Sequence, residues 1–254
     1  MENRNHEKNF FGVIAKIFLW MVYDIYAFWY CFVKPVVKMK IFKLDWHQCY
    51  KDQQEFFNKA LKLFGIEVVI ENSHNVPLEG PYILVSNHRS WFDHVSLIAK
   101  MPLFIHYLAN AKFLKIIFFG YGMKLYEFIP VADGALSPES SANLNLYLTR
   151  KDTVGFFVEG TRGSGQELLP FKPGAFKRAA RCGCPILPLY ILGSEAILSK
   201  RYSLITVKSG TIKIIIDPPV YFTVADWETK SREFEAEYRK KFSKLYEEFE
   251  ATRD

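Results

Sequence analysis

The sequence predicts an α/β fold: a single layered domain with a mostly parallel sheet flanked by helices, preceded by an N-terminal helical segment. Short apolar runs bounded by Gly and Pro alternate with stretches of helical spacing, the pattern of strand–helix–strand units. No internal repeat, low-complexity segment or Gly/Ser linker divides the 254 residues, so one core is expected. From Phe10 to Val33 the chain is dense with apolar and aromatic residues, broken only by Lys16 and Asp24. That composition marks residues 1–47 as a membrane-associating segment and 48–254 as the globular domain.

Each element follows from local pattern. Gln48–Phe64 is helical and stops at Gly65, and Ile66–Glu71 is a β-rich run. Tyr82–Ser86 follows Gly80-Pro81 as a short apolar run and reads as a buried strand. Further strands are expected at Leu125–Val131, Thr153–Val158, Ile186–Leu192 and Thr211–Ile216. Helices are expected at Phe92–Lys100, Ala111–Gly120, Ser140–Tyr147 and Gly174–Arg181. Near the C-terminus Phe234, Tyr238, Phe242, Leu245 and Phe249 recur in steps of 4, 4, 3 and 4, an amphipathic helix expected to dock on the core.

Phe10–Val33 is long enough as a helix to span a bilayer, rising about 36 Å. Three features favour lying in the interface. Asp24 in a lone span would cost on the order of 3 kcal/mol. Its aromatics, Trp20, Tyr23, Tyr26, Trp29 and Tyr30, are spread along the segment instead of forming two belts. Lys34, Lys38, Lys40 and Lys43 follow at once, placed for anionic headgroups. The expectation is monotopic attachment at the cytoplasmic face, through two short helices broken near Pro35. Lys16 and the lack of a small-residue cleavage site argue against a secretory signal.

A net charge of +6 points to anionic company: nucleic acid, an acidic membrane or a phosphorylated substrate. No nucleic-acid module is recognisable, so nucleic acid is not an expected partner. The four cysteines, Cys31, Cys49, Cys182 and Cys184, are too few for a disulfide scaffold and lack C-x-x-C zinc spacing. Cys182 and Cys184 read as small buried residues before a strand, and a reducing compartment fits.

Asn87-His88-Arg89-Ser90-Trp91-Phe92-Asp93-His94 follows the Tyr82–Ser86 strand, where sites gather in open α/β sheets. His88 and Asp93 would sit about 140° apart on a straight helix, so they meet only if the chain turns sharply. Such a turn would let Asp93 hold one imidazole nitrogen while the other faces a substrate proton. A structural role, or metal ligation by His88, Asp93 and His94, stands beside that reading. A second loop leaves the Thr153–Val158 strand with Glu159, Gly160, Thr161 and Arg162, and Lys172 lies ten residues further on. Arg suits bidentate phosphate contacts, Lys supplies a point charge, and Gly admits close backbone approach. A solvated basic loop is the plainer alternative.

Together Asn87-His88-x4-Asp93, Glu159-Gly160-Thr161-Arg162, Phe171-Lys172-Pro173-Gly174 and Pro185-Ile186-Leu187-Pro188-Leu189 resemble, in order and spacing, the motif blocks of the lysophosphatidic acid acyltransferase family. The resemblance covers roughly Ile66 to Ile216. It implies that His88 is a general base and Asp93 its orienting partner. Glu159, Gly160, Thr161, Arg162 and Lys172 would seat the acceptor's phosphate. It further implies membrane lipids as partners, a lysolipid acceptor such as 1-acylglycerol-3-phosphate, and an acyl-CoA or acyl carrier protein thioester, with no metal and no cofactor. The family's second block has an arginine soon after an Ile-Pro-Val-like run; here Ile129-Pro130-Val131-Ala132 leads to Asp133. Other acceptors, a lyso-ornithine lipid or a lysophospholipid, therefore stay open. So do two readings from other classes, a metal-dependent lipid hydrolase and a phospholipid-binding protein without turnover.

Overall fold

The computed structural model describes residues 2–44, 46–77, 79–163, 167–199 and 206–252. Its strands are β1 Ile66–Glu71, β2 Ile83–Ser86, β3 Ile105–Asn110, β4 Ile129–Ala132, β5 Ala135–Leu136, β6 Thr153–Phe157, β7 Ile186–Leu192 and β8 Gly210–Ile216. They form one sheet in the order β1-β8-β7-β2-β6-β3-β4-β5, parallel except for the β7–β8 and β4–β5 pairs. Around it lie α1 Glu2–Phe28, α2 Lys34–Lys40, α3 Trp46–Leu63, α4 Phe92–Lys100, α5 Ile117–Leu125, α6 Pro138–Thr149, α7 Gly174–Cys182, α8 Ser194–Ile197 and α9 Trp227–Ala251.

β2 and β7 are buried at every position because they are central and covered on both faces. Their side chains alternate between the two layers. Leu84, Leu187, Leu189 and Ile191 face the core shared with α3 and α4. Ile83, Val85, Ile186 and Tyr190 face the core closed by α6, α7 and α9. The amphipathic C-terminal stripe docks there as expected, burying Phe234, Tyr238, Phe242 and Phe249.

The β3–β5 region departs from the sequence reading. β3 was not expected, because Pro102 and His106 interrupt its apolar run. His106 is tolerated in the core because its ring stacks on Tyr147 (centroids 3.8 Å apart), with Asp152 Oδ2 3.3 Å from Nε2. The helix expected over Ala111–Gly120 is a 3-10 turn, Ala111–Lys115, followed by α5. α5 runs on through Leu125 and Glu127 turns at φ 51°, so the strand expected from Leu125 begins at Ile129. Asp133 and Gly134 then take φ 49° and 78° as the two-residue turn joining β4 to β5. Positive φ at both central residues is the hairpin geometry that Asp-Gly favours, which gives Asp133 a backbone reason for being there.

The N-terminal helix is not broken near Pro35. A wide π-helical turn, Trp29–Val33, links α1 to α2, and Val33 and Lys34 keep helical dihedrals. Pro35 stands in the first turn of α2, where a missing N–H costs least. One face of α1 packs on α3: the Trp20 and Tyr23 rings lie tilted against Phe64, with Tyr23 also against Phe56. The opposite face exposes Ile14, Ile17, Phe18, Met21, Ile25 and Phe28. Two of the four lysines expected to meet headgroups are otherwise engaged: Lys34 and Lys38 pair with Asp52 at 2.8 and 2.5 Å. Among the described residues no helix is long and apolar enough to cross a membrane. Cys184 is buried, whereas Cys182, at the end of α7, is exposed.

Candidate active site

β2 ends at Ser86 and the chain turns sharply before α4. Asp93, in the first turn of α4, is wholly buried, and its Oδ2 gathers that turn around itself. It accepts the Arg89 N–H at 2.6 Å, the Ser90 N–H at 2.8 Å and His88 Nδ1 at 2.7 Å. The sharp turn that would unite His88 with Asp93 is therefore present. Burial disfavours the charged form of Asp93, but its hydrogen bond to His88, the charge of that imidazole and the Ser90 amide outweigh it and hold its pKa below the usual carboxylate value. An ionised Asp93 fixes the proton of His88 on Nδ1 and leaves Nε2 as the free lone pair. The His88 ring lies flat on Phe157, centroids 4.0 Å apart. Ser90, by contrast, is tied to the fold, its hydroxyl donating to the Leu198 carbonyl at 2.7 Å.

The second loop leaves β6 beside the first and is braced to it. Glu159 is 2% exposed; Oε1 accepts the His88 N–H and Oε2 the Leu169 N–H, each at 2.8 Å. Burial raises its pKa, opposed by those two amides. Gly163 N–H donates to the His88 carbonyl at 2.8 Å, and Lys172 N–H to the Val158 carbonyl at 2.7 Å. Gly160 turns at φ 67°, and a Cβ there would lie 3.4 Å from the Lys172 side chain. Arg162 is half-buried, its guanidinium 6.0 Å from the Trp91 ring centre.

A cavity of about 730 Å³ opens between these loops. His88, Gly160, Thr161, Arg162 and Lys172 line it together, and Phe57, Leu108, Met123, Phe128, Phe156 and Phe157 supply apolar wall. One end can hold an anion beside an imidazole, and the remainder suits a hydrocarbon chain. Glu159 does not fit its expected place among the phosphate-seating residues. It is absent from the cavity wall, and both oxygens are occupied by backbone amides behind it. A carboxylate there would also repel a phosphate. Asp93 likewise stands behind the wall.

Among the described residues no three His, Cys, Asp or Glu side chains are grouped to hold a metal ion. His94 lines the cavity, and burial, reinforced by the nearby His88 and Arg162, pushes its pKa down to about 4.

Three residues at the site were not singled out from sequence. Asn87 pairs with both backbone groups of Ile191, Nδ2 donating to its carbonyl and Oδ1 accepting its N–H, each at 2.8 Å. Arg89 is fully buried over the Phe242 ring at 4.9 Å, and its charge favours ionisation of Glu159 and Glu195. Phe157 is the flat support of His88. Position within the Asn87-His88-x4-Asp93 block was the available signal for Asn87 and Arg89; Phe157 read simply as strand.

The model of the acyltransferase family matches residues 67–192. The chain is 31% identical over 165 residues to 1-acyl-sn-glycerol-3-phosphate acyltransferase alpha of Mus musculus, covering 63% of this chain and 57% of that one. It is 30% identical over 162 residues to the chloroplastic 1-acyl-sn-glycerol-3-phosphate acyltransferase BAT2 of Brassica napus, covering 62% and 46%. With 1-acyl-sn-glycerol-3-phosphate acyltransferase of Salmonella typhimurium it shares 29% identity over 169 residues, covering 65% and 66%. The matched part thus spans about half to two thirds of these relatives' lengths. The fold matches the crystal structure of the 1-acyl-sn-glycerophosphate acyltransferase PlsC of Thermotoga maritima with a TM-score of 0.72 and 23% identity, covering 90% of this chain and 95% of that one.

Proposed function

We propose that this chain is an acyltransferase, as the match of residues 67–192 to that family's model supports, and that it moves a fatty acyl group from an acyl-CoA or acyl carrier protein thioester to the free hydroxyl of a lysolipid. The proposed acceptor is 1-acylglycerol-3-phosphate, for which the relatives are named, and the product is phosphatidic acid. The observation that carries this reading is His88, oriented by buried Asp93, sharing one cavity wall with Arg162 and Lys172.

In the proposed reaction His88 Nε2 takes the proton of the acceptor hydroxyl as its oxygen attacks the thioester carbonyl. Asp93 stabilises the imidazolium that forms. The tetrahedral intermediate collapses, the C–S bond breaks, and His88 returns the proton to the leaving thiolate. General-base help of this kind contributes about 10²- to 10⁴-fold. No acyl-enzyme is needed: Ser90 is bonded to the Leu198 carbonyl and lies outside the cavity wall. Arg162 and Lys172 seat the acceptor's phosphate, and the apolar wall takes acyl chain. The exposed apolar face of α1 attaches the protein to the membrane surface at the cytoplasmic face, where acceptor and product reside.

The test is mass spectrometry of products from a panel of lysolipids, each offered with acyl-CoA and acyl carrier protein donors. Thioester-dependent formation of phosphatidic acid supports the proposal. Product from a lyso-ornithine lipid or lysophospholipid alone would replace the acceptor and keep the chemistry. Thioester-independent lipid hydrolysis, or binding without turnover, would overturn it.

A further inference from the structure

The loop that carries His88 is held from behind by a helix far along the chain. Tyr238 is 1% exposed and lies on α9, beyond the residues matched by the family model. Its hydroxyl accepts the backbone N–H of Asn87 at 3.0 Å, donates to the Leu189 carbonyl, and sits 3.2 Å from Asn87 Oδ1. Asn87 in turn grips both backbone groups of Ile191. One phenol thus ties together the end of β2, the middle of β7 and the residue immediately before His88.

The rest of α9 braces the same site. Glu235 accepts the Phe171 N–H at 3.2 Å, and Arg239 donates to the Leu168 and Leu169 carbonyls at 2.6 Å each. Those carbonyls belong to the segment that supplies the Leu169 N–H to Glu159 and leads into Lys172. Phe242 lies beneath Arg89. Both loops therefore take their height above the sheet from one helix face.

We propose that Tyr238 is a positioning residue for the His88 base, acting through the Asn87 backbone. This rests on the acyl-transfer reading of His88. The ring's packing and the hydroxyl's bonds are separable, since Tyr238→Phe keeps the first and removes the second. A base displaced by as little as 1 Å can cost about 10²-fold in rate.

The experiment uses the full-length protein as wild type, Tyr238→Phe and Phe222→Leu. Phe222 is buried against Phe176 and Phe234, has no polar group with which to bond either loop, and controls for lost stability. Each variant is measured for kcat, KM of donor and acceptor, melting temperature and the NMR resonance of the His88 Nδ1 proton. Tyr238→Phe is expected to lower kcat about tenfold or more with KM unchanged, and to shift the His88 resonance. Phe222→Leu is expected to lower the melting temperature while leaving kcat and the resonance alone. Wild-type kcat and an unmoved resonance in Tyr238→Phe would overturn the proposal. So would equal loss of kcat in Phe222→Leu at equal loss of stability. Should Tyr238→Phe not fold, 3-fluorotyrosine at position 238 keeps the packing and changes the phenol's acidity, and the His88 resonance must then respond. If the wild type acylates no acceptor, the acyl-transfer reading fails, while the resonance still decides whether Tyr238 positions His88.

Discussion

Glu159 holds His88 by its backbone, carboxylate to amide at 2.8 Å, across 71 positions of chain. The other oxygen holds Leu169, so a side chain expected to touch substrate instead fixes the distance between the two loops. Glu159→Gln supplies one acceptor oxygen and an NH2 group, leaving one of the two buried amides facing a donor. A buried group left unpaired costs about 1–3 kcal/mol. The expected outcome is a lower melting temperature and a lower kcat, with KM for the acceptor little changed. A variant of wild-type stability whose acceptor KM alone rises would return Glu159 to the substrate.

His88→Ala removes the proposed base and is expected to lower turnover by about 10²-fold or more in a protein that still folds. Asp93→Asn should be nearly as damaging to turnover, because the amide can select the wrong imidazole tautomer. It should also be the less stable variant, since Oδ2 accepts two backbone amides besides His88. Steady-state rates and thermal melts on the same preparations check both. A folded His88→Ala that keeps most activity would sink the mechanism.

Much of this was legible because it depends on local pattern. The continuous apolar runs of β2 and β7 and the 3.6-residue stripe of α9 need no knowledge of their neighbours. β3 was illegible for the opposite reason: a histidine in its middle is acceptable only because Tyr147 and Asp152 meet it in space. The β4–β5 hairpin carries a strong turn signal in Asp133-Gly134, but its strands are only four and two residues long, too short to show an alternating pattern. At the site, the spacing of His88 and Asp93 announced a turn. Nothing in the sequence could reveal that Glu159 faces inward, or that Tyr238 reaches Asn87. Those are long-range pairings, invisible to periodicity.

His94 gives the fold a pH dependence of defined sign. Its pKa falls from the ordinary 6.5 to about 4 on folding, mainly through burial. Between those values the unfolded chain binds a proton that the folded chain refuses, so stability drops as pH falls. His94 contributes its full stability above about pH 6.5 and loses it progressively on the way down to about pH 4. Asp93, whose pKa is lowered, adds a loss in the same direction at still lower pH. Glu159 and Glu195, whose pKa values burial raises, act in the opposite direction, so the reading is the difference between wild type and His94→Asn in thermal melts from pH 7 to 4. His94→Asn should flatten that part of the curve, and an unchanged slope would show that another group is responsible.

Arg162 separates phosphate recognition from thioester chemistry. A charge-assisted contact is worth roughly 1.5–3 kcal/mol. Arg162→Ala is therefore expected to reduce kcat/KM about ten- to a hundredfold for a phosphate-bearing acceptor. The loss should be much smaller for an acceptor without phosphate. Equal losses for every acceptor would place Arg162 with the donor or the fold.

Membrane attachment turns on which of two forces dominates at the N-terminus. At 100° per residue, Ile14, Ile17, Phe18, Met21, Ile25 and Phe28 fall within about 60° either side of one line on α1, opposite Tyr23. All six are between 43% and 64% exposed. Burying one such side chain is worth about 1.5–3 kcal/mol when complete. Lys34 and Lys38 are paired with Asp52, which leaves Lys40 and Lys43 exposed, beside Ile41 and Phe42. A basic residue near an anionic surface contributes about 1 kcal/mol. The apolar stripe should therefore outweigh the charges. Phe18→Glu with Ile25→Glu is expected to abolish flotation with anionic vesicles while leaving the melting temperature near wild type, because neither side chain faces α3. Lys40→Ala with Lys43→Ala should weaken binding without abolishing it, and 1 M salt should release the wild-type protein only in part. If salt alone frees it completely, or if the double glutamate variant still floats, the stripe on α1 is not the anchor.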